Sequence, residues 1–120
     1  MDNSKIELYY DELQALSQNQ YYMHSMKKGS SVFLSSKGRE YREKLREKLP
    51  LQKIEGRVKL EIIAFFKDKR KRDLDNVNKP LIDALKNYVI EDDDQIFELI
   101  MKKHIGVGYN AIKIIIESLN

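Results

Sequence analysis

The sequence predicts an α/β (α+β) domain, with two helices packed on a mixed four-stranded sheet in the order β-α-β-α-β-β. Three observations predict it. Between Ile54 and Phe66 the apolar residues Ile54, Val58, Leu60, Ile62, Ala64 and Phe66 all fall on even positions, the period of a strand. Two segments, Ser36 to Leu49 and Val77 to Val89, repeat apolar residues every three to four positions, the period of a helix. Two further apolar runs, Ile96 to Ile105 and Tyr109 to Glu117, are separated by Gly106-Val107-Gly108, a glycine pair suited to a hairpin. Helix and strand alternating locally and closing on a hairpin imply helices layered on a sheet whose strand order stays open.

Each element has its own warrant. Ile6, Leu8 and Tyr10 alternate with polar neighbours, so Lys5 to Tyr10 is the first strand. Asp11 to Ser31 holds no sustained period and reads as a long loop, mobile around Lys27 to Ser31. In the first helix Tyr41, Leu45 and Leu49 form the buried stripe, Ser35 or Ser36 caps the start, and Pro50 ends it. The odd positions of the long strand begin charged (Arg57, Lys59, Glu61) and become apolar (Ile63, Phe65), which implies progressive cover on the second face, as by a helix. Val77, Leu81, Leu85 and Tyr88 mark the second helix, with Pro80 expected in its first turn, where a missing N–H costs least.

A chain of 120 residues that is 42% hydrophobic can bury one core, and no linker or repeat divides residues 1–120, so one domain is expected. No apolar run reaches the ~18 residues of a membrane span, and Met1 to Ser4 lack the basic and apolar regions of a secretory signal. With no cysteine, disulfides and thiolate metal sites are excluded. A cytoplasmic protein with no membrane partner is expected. No Walker loop, dinucleotide glycine fingerprint or nucleophile-elbow serine occurs, so no small-molecule cofactor is expected.

Net charge is only +3, but it is strongly patterned: Lys67 to Arg72 carry +4 and Glu91 to Asp94 carry −4. The basic run leads into Arg72-Asp73-Leu74-Asp75-Asn76, where the long strand gives way to the second helix. In extended backbone Asp73 and Asp75 point the same way, and two carboxylates held close repel unless a cation lies between them. Oxygen-only ligands suit Mg2+ or Mn2+. A helix cap with a salt bridge to Arg70 or Arg72 accounts for the pair equally well. An EF-hand beginning at Asp73 is excluded, because Val77, Asn78 and Ala84 stand at its fifth, sixth and twelfth positions.

The acidic run offers a third carboxylate for metal-assisted phosphodiester hydrolysis, although charge blocks mostly serve as solvated surface. Alternation sends Asp93 one way and Asp92 and Asp94 the other. Lys79, one helical turn beyond Asp75, either pairs with it or stabilises charge developing on a phosphate. Lys69, Arg70, Lys71 and Arg72 would hold a polyanion beside the acids, or else protect an exposed strand edge. Tyr21, Tyr22, His24, Lys27 and Lys28 mix aromatics with cations, as base stacking and phosphate contact require. His104 reads as structural.

These spacings taken together resemble the RusA family of Holliday junction resolvases. The resemblance rests on Arg72-Asp73-Leu74-Asp75-Asn76, Lys79, Pro80, Asp83-Ala84-Leu85, Glu91-Asp92-Asp93 and Gln95-Ile96, with Asn19, Tyr21 and Tyr22 and the stretch Gly38 to Arg42 agreeing more loosely. Ala15 and Leu16 stand where the family usually has prolines. The resemblance implies a dimeric, Mg2+- or Mn2+-dependent endonuclease that nicks four-way DNA junctions symmetrically during recombination and repair. It maps the acidic triad onto Asp73, Asp75 and Asp93 and the essential lysine onto Lys79. From the residues themselves, DNA contacts are expected at Lys69, Arg70, Lys71 and Arg72 together with Asn19, Tyr21, Lys27 and Lys28. A non-catalytic junction-binding module, or a nuclease for other branched DNA, is the alternative.

Overall fold

Val58–Phe65 forms β4, the strand about which the sheet is organised, in a computed structural model that describes residues 5–25 and 31–120. Around it stand β1 (Lys5–Asp11), β5 (Ile96–His104) and β6 (Ala111–Ser118), in the spatial order β1-β6-β4-β5. β6 is antiparallel to both β1 and β4, whereas β5 runs parallel to β4, so the sheet is mixed as expected. The register brings the even positions together: Leu60 faces Ile116 and Leu99, Ile62 faces Ile114 and Met101, and Ile6, Leu8 and Tyr10 continue the same face on β1.

On that apolar face lie α2 (Ser36–Glu47) and α3 (Leu74–Leu85), contributing Tyr41 and Leu45, and Val77, Leu81, Ala84 and Leu85. Ile62 and Leu81 are fully buried, each burial stabilising the fold by about 1.5–3 kcal/mol. Ser35 caps α2 by accepting from the Gly38 N–H at 2.8 Å, as its position before the helical period predicts. Tyr10 donates its hydroxyl to the Leu45 carbonyl at 2.6 Å, satisfying one of the carbonyls left open at the end of α2.

Four expectations are corrected. The loop expected from Asp11 to Ser31 contains a short helix α1 (Gln18–Tyr21) and a strand β2 (Tyr22–Ser25), which pairs antiparallel with β3 (Ser31–Leu34). Four-residue elements are too short to show a period, and the mobility expected for Lys27 to Ser30 lies outside the described residues. The glycine segment does not close a hairpin, because β4 lies between β5 and β6. Its N–H groups at Gly106, Val107 and Gly108 instead bond to the carbonyls of Asp68, Phe66 and Lys67, carrying the chain around the end of β4.

The third correction concerns α3, which begins three residues earlier than the apolar period suggested because Asp73 caps it. Pro80 is therefore interior, and it is buried in the core. The fourth concerns the second face of β4: Ile63 and Phe65 are half-buried there, and what shields the Phe65 ring is stacked His104 and Tyr109 at 5.2 and 5.7 Å, not a helix. No helix of the described residues is long and apolar enough to cross a membrane.

Candidate active site

The chain leaves β4 at Phe66, passes through the basic loop Lys67 to Arg72, and enters α3 at its capping residue. Asp73 has extended backbone and accepts from the Asp75 N–H at 3.1 Å, while Asp75 lies in the first helical turn. The pair therefore sits at a helix N-terminus, not along a strand as alternation implied. A carboxylate there is favoured by the free N–H groups and by the positive end of the helix dipole. Both carboxylates are exposed, and among the described residues neither takes part in an ion pair. The salt-bridge role expected from Arg72 goes elsewhere.

Arg72 is committed to Asp68, which it meets with two nitrogens at 2.6 and 3.3 Å, and its guanidinium lies 4.3 Å from the centre of the Phe66 ring. Its side chain is only 16% exposed, against 81% for Arg70. The Arg72 guanidinium and the Arg70 N–H hold the Asp68 carboxyl far below the usual carboxylate range. Arg72 thus shapes the loop, while Lys69, Arg70 and Lys71 turn to solvent. The Lys69 stem lies against Gly106, and Lys103 donates its ammonium to the Arg72 carbonyl, so the loop is fastened to the carboxyl end of β5.

A cleft beside the acids is lined by Arg70, Lys71, Asp73 and Asn76 on one wall and Ser17, Asn19 and Gln20 on the other. α1 is docked there by Gln18, which donates to the Asp75 carbonyl at 3.4 Å. Asn19 is exposed and also lines the neighbouring cavity with Tyr22, Lys79 and Asp83. Lys79 makes no ion pair with Asp75 among the described residues; its ammonium lies 5.9 Å from the centre of the Tyr22 ring. Tyr22 in turn donates to the Asp83 carboxylate, and burial together with that bond pushes its phenol well above the usual tyrosine value.

Tyr21 is not presented to a ligand. It is completely buried, packed edge-on against Tyr22 and Tyr41 at 4.8 and 6.0 Å, because the short helix α1 needs an anchor in the core. Lys27 and Lys28 lie outside the described residues.

Asp93 stands apart from the other two acids within one chain. It opens a 3-10 turn, Asp93–Gln95, immediately before β5, whereas the loop holding Asp73 is fastened at the far end of that strand. Since β5 is parallel to β4, Ile96 lies level with Val58 and His104 with Phe65. Seven residue steps, about 23 Å of strand, separate Ile96 from Lys103. Accordingly, no group of three or more ligating side chains occurs among the described residues.

The acidic run is nonetheless ordered. Glu91 pairs with Lys53, and Asp92 with Lys86 at 3.5 Å, leaving Asp93 and Asp94 unpaired and exposed among the described residues. Gln95 holds the turn in place, accepting from the Glu91 N–H at 2.7 Å and donating to the Ile54 and Gly56 carbonyls at 2.9 and 2.8 Å. The links from Gln95 to Ile54 and Gly56, from Asp83 to Tyr22 and from Lys103 to Arg72 are positional roles that one-dimensional spacing does not reveal, since these partners are distant in sequence.

Fold and site together define a class: an α+β domain with two exposed carboxylates on a helix N-terminus, edged by a solvent-facing cationic loop. The chain belongs to the endodeoxyribonuclease RusA family, whose pattern it matches over residues 13–117. It is 33% identical over 76 residues to the crossover junction endodeoxyribonuclease rusA of Enterobacteria phage HK97, covering 60% of this chain and 63% of that protein. With the crossover junction endodeoxyribonuclease RusA of Aquifex aeolicus (strain VF5) it shares 32% identity over 113 residues, covering 90% of this chain and 87% of that one. Against the phage protein, then, the match spans just under two thirds of the relative's length.

Proposed function

We propose that this protein is a divalent-metal-dependent endodeoxyribonuclease that resolves Holliday junctions by paired, symmetric nicks. The observation that carries the reading is the pair of exposed carboxylates, Asp73 and Asp75, without an ion pair among the described residues and set beside the cationic loop Lys69 to Lys71. The names carried by the phage and Aquifex relatives point to the same activity.

The donor set fits a hard cation. Two carboxylates, one with an oxygen already oriented by a backbone N–H, leave the remaining ligand positions to water and phosphate, the pattern Mg2+ and Mn2+ favour. Asp73 and Asp75 would hold the ion; Asp93, the third acid of the resemblance, stands at the other end of β5 and could join them only from a second copy of the chain. The ion, when bound, supplies an activated water and stabilises the charge of the scissile phosphate. Lys69, Arg70 and Lys71 draw the DNA backbone toward the acids and offset their repulsion of it. Lys79, on the same helix as Asp75 and with its ammonium 5.9 Å from the centre of the Tyr22 ring of β2, is placed to neutralise charge developing on a phosphate oxygen. Two cuts related by the junction's approximate two-fold symmetry require two acid sets, hence a homodimer.

One feature favours a rival, non-catalytic junction-binding module: Asp73 does cap α3, which would suffice to explain its presence. Metal-dependent nicking decides between them. Labelled four-way, flapped and linear duplexes are incubated with Mg2+, with Mn2+ and with EDTA. Paired nicks in the four-way substrate that EDTA abolishes are expected, and Asp75→Asn should lose cleavage while keeping junction binding. A folded wild-type protein that binds junctions but cuts none under any of these metals would establish the rival.

A further inference from the structure

Asp75, Lys79 and Asp83 follow one another along α3 at the spacing that puts helical residues on one stripe, where opposite charges can pair. Lys79 thus has a carboxylate one turn away on either side, yet among the described residues it pairs with neither, and its side chain is exposed. A lysine that is to meet an incoming phosphate has to be kept from both. Asp75 is assigned to the ion under the nuclease reading, which leaves Asp83 as the competitor.

Tyr22 occupies that competitor. Its hydroxyl donates to the Asp83 carboxylate, and its ring centre lies 5.9 Å from the Lys79 ammonium, so one side chain reaches both members of the alternative pair. The bond satisfies part of the carboxylate's demand for a donor, while the ring face offers the ammonium a different seat. Arg46 does not take over the task. Its guanidinium donates to the Ala84 and Asp83 carbonyls at 3.0 and 3.5 Å and lies 4.2 Å from the centre of the Tyr88 ring.

The tyrosine is firmly mounted. It follows α1 directly, the fully buried Tyr21 packs edge-on against it at 4.8 Å, and Leu34 of β3 is its register partner. Tyr22 and Asp83 are half-buried, so they form the floor of a cavity whose walls include Gln18, Asn19 and His24, with Lys79 at its surface. Asn19 also lines the cleft that holds Asp73, which sets the lysine's cavity beside the acids.

We infer that Tyr22 is a positioning residue for Lys79: by holding Asp83 it keeps the ammonium from folding back onto its own helix and leaves it turned to the cavity beside the acids. That Lys79 then serves cleavage rests on the nuclease reading; the sparing of the lysine does not. A plain tether between β2 and α3 would make Tyr22 matter for stability alone.

Lysine labelling separates the two. Tyr22→Phe keeps the ring and removes the donor, so the released Asp83 carboxylate should capture Lys79. Pairs at this spacing hold a lysine roughly two times in three, so acetylation of Lys79 by limiting N-hydroxysuccinimide acetate, followed by mass spectrometry, should slow about two- to threefold. Adding Asp83→Asn removes the charge and should restore the rate, whereas Asp83→Asn alone should label Lys79 as wild type does. Single-turnover cleavage of a four-way junction with Mg2+ should fall and recover in step. Melting curves show which variants are folded; Asp83→Asn keeps a neutral acceptor for the phenol and supplies the decision should Tyr22→Phe not fold. Unchanged labelling in folded Tyr22→Phe overturns the inference, and so does faster labelling in Asp83→Asn alone, which would mean that Lys79 and Asp83 already pair. Labelling that Asp83→Asn restores without a return of cleavage, where wild type cuts, overturns the positioning role. If wild type never cuts, the proposed function falls, and the labelling still decides whether Tyr22 spares the lysine.

Discussion

Removing charge from the basic loop tests whether its cations play different parts, as their surroundings imply. Arg70 is 81% exposed and Lys71 is also solvent-facing, whereas Arg72 is clamped between Asp68 and the Phe66 ring. Each phosphate that the protein no longer neutralises should lessen the slope of log K against log salt by about 0.9 on duplex arms. Replacing both Arg70 and Lys71 with alanine should therefore lower the slope by about 1.8 per protomer, so that raising salt fourfold costs about twelvefold less affinity than in wild type. Arg72→Gln should leave the slope close to wild type while lowering the melting temperature, since it unfastens the loop. The assay is fluorescence anisotropy of a labelled four-way junction at roughly 50, 100 and 200 mM salt, the range over which such slopes are steep, with melting curves in parallel. An unchanged slope for the double variant, or a loss of slope in Arg72→Gln with unchanged melting, would refute this division.

Three further outcomes follow from the core and the helix junctions. Tyr10→Phe strands the Leu45 carbonyl at the end of α2 and should cost about 1–2 kcal/mol, near 4–8 °C in melting temperature, measured by urea and thermal denaturation. Burial raises the phenol of Tyr10 to about 12 and pushes those of Tyr22 and Tyr41 well above the ordinary value near 10. The folded state therefore holds these protons more tightly than the unfolded one, and the contribution, complete below about pH 10, should fade as pH rises through 10 to 12 and beyond. Urea midpoints across pH 9 to 12 measure it, and a rising midpoint would contradict it. Gly38→Ala should destabilise α2, because a Cβ there would stand 2.3 Å from the Tyr21 carbonyl oxygen, a backbone atom fixed by its bond from the Ser35 N–H; calorimetry should show a lower melting temperature.

Much of this architecture was legible because its signals are periodic. The even-position apolar residues of β4, the Tyr41 and Leu45 stripe of α2, and the Ser35 cap each express a local rule that packing did not override. Short elements escaped: α1, β2 and β3 are four residues each, too few to establish a pattern. Strand order escaped for another reason, since Gly106 and Gly108 fit a hairpin as well as they fit the turn around β4 that the Asp68, Phe66 and Lys67 carbonyls enforce. At the site, Asp73 and Asp75 were legible as a pair and Arg70 and Lys71 as exposed cations, although Arg70 also reaches Asp68 at 3.4 Å. The burial of Tyr21 and the capture of Arg72 were not, because both depend on partners that composition cannot place. The distance from Asp93 to the other two acids depends on β5 running parallel to β4, a fact of topology.

The place of β6 between β1 and β4 bears on how the chain reaches this state. Its isoleucines at 112, 114 and 116 zip the first strand to the fourth, so two neighbours distant in sequence must wait for a segment made after both. On the ribosome, α2 and α3 can form as they emerge, yet β4 has no partner on that side until residues 111–118 clear the exit tunnel. Folding that depends on such remote contacts is slow and leaves sticky intermediates exposed. Removing those eight residues would excise the middle of the sheet, and cells making such a truncated chain should accumulate it in inclusion bodies.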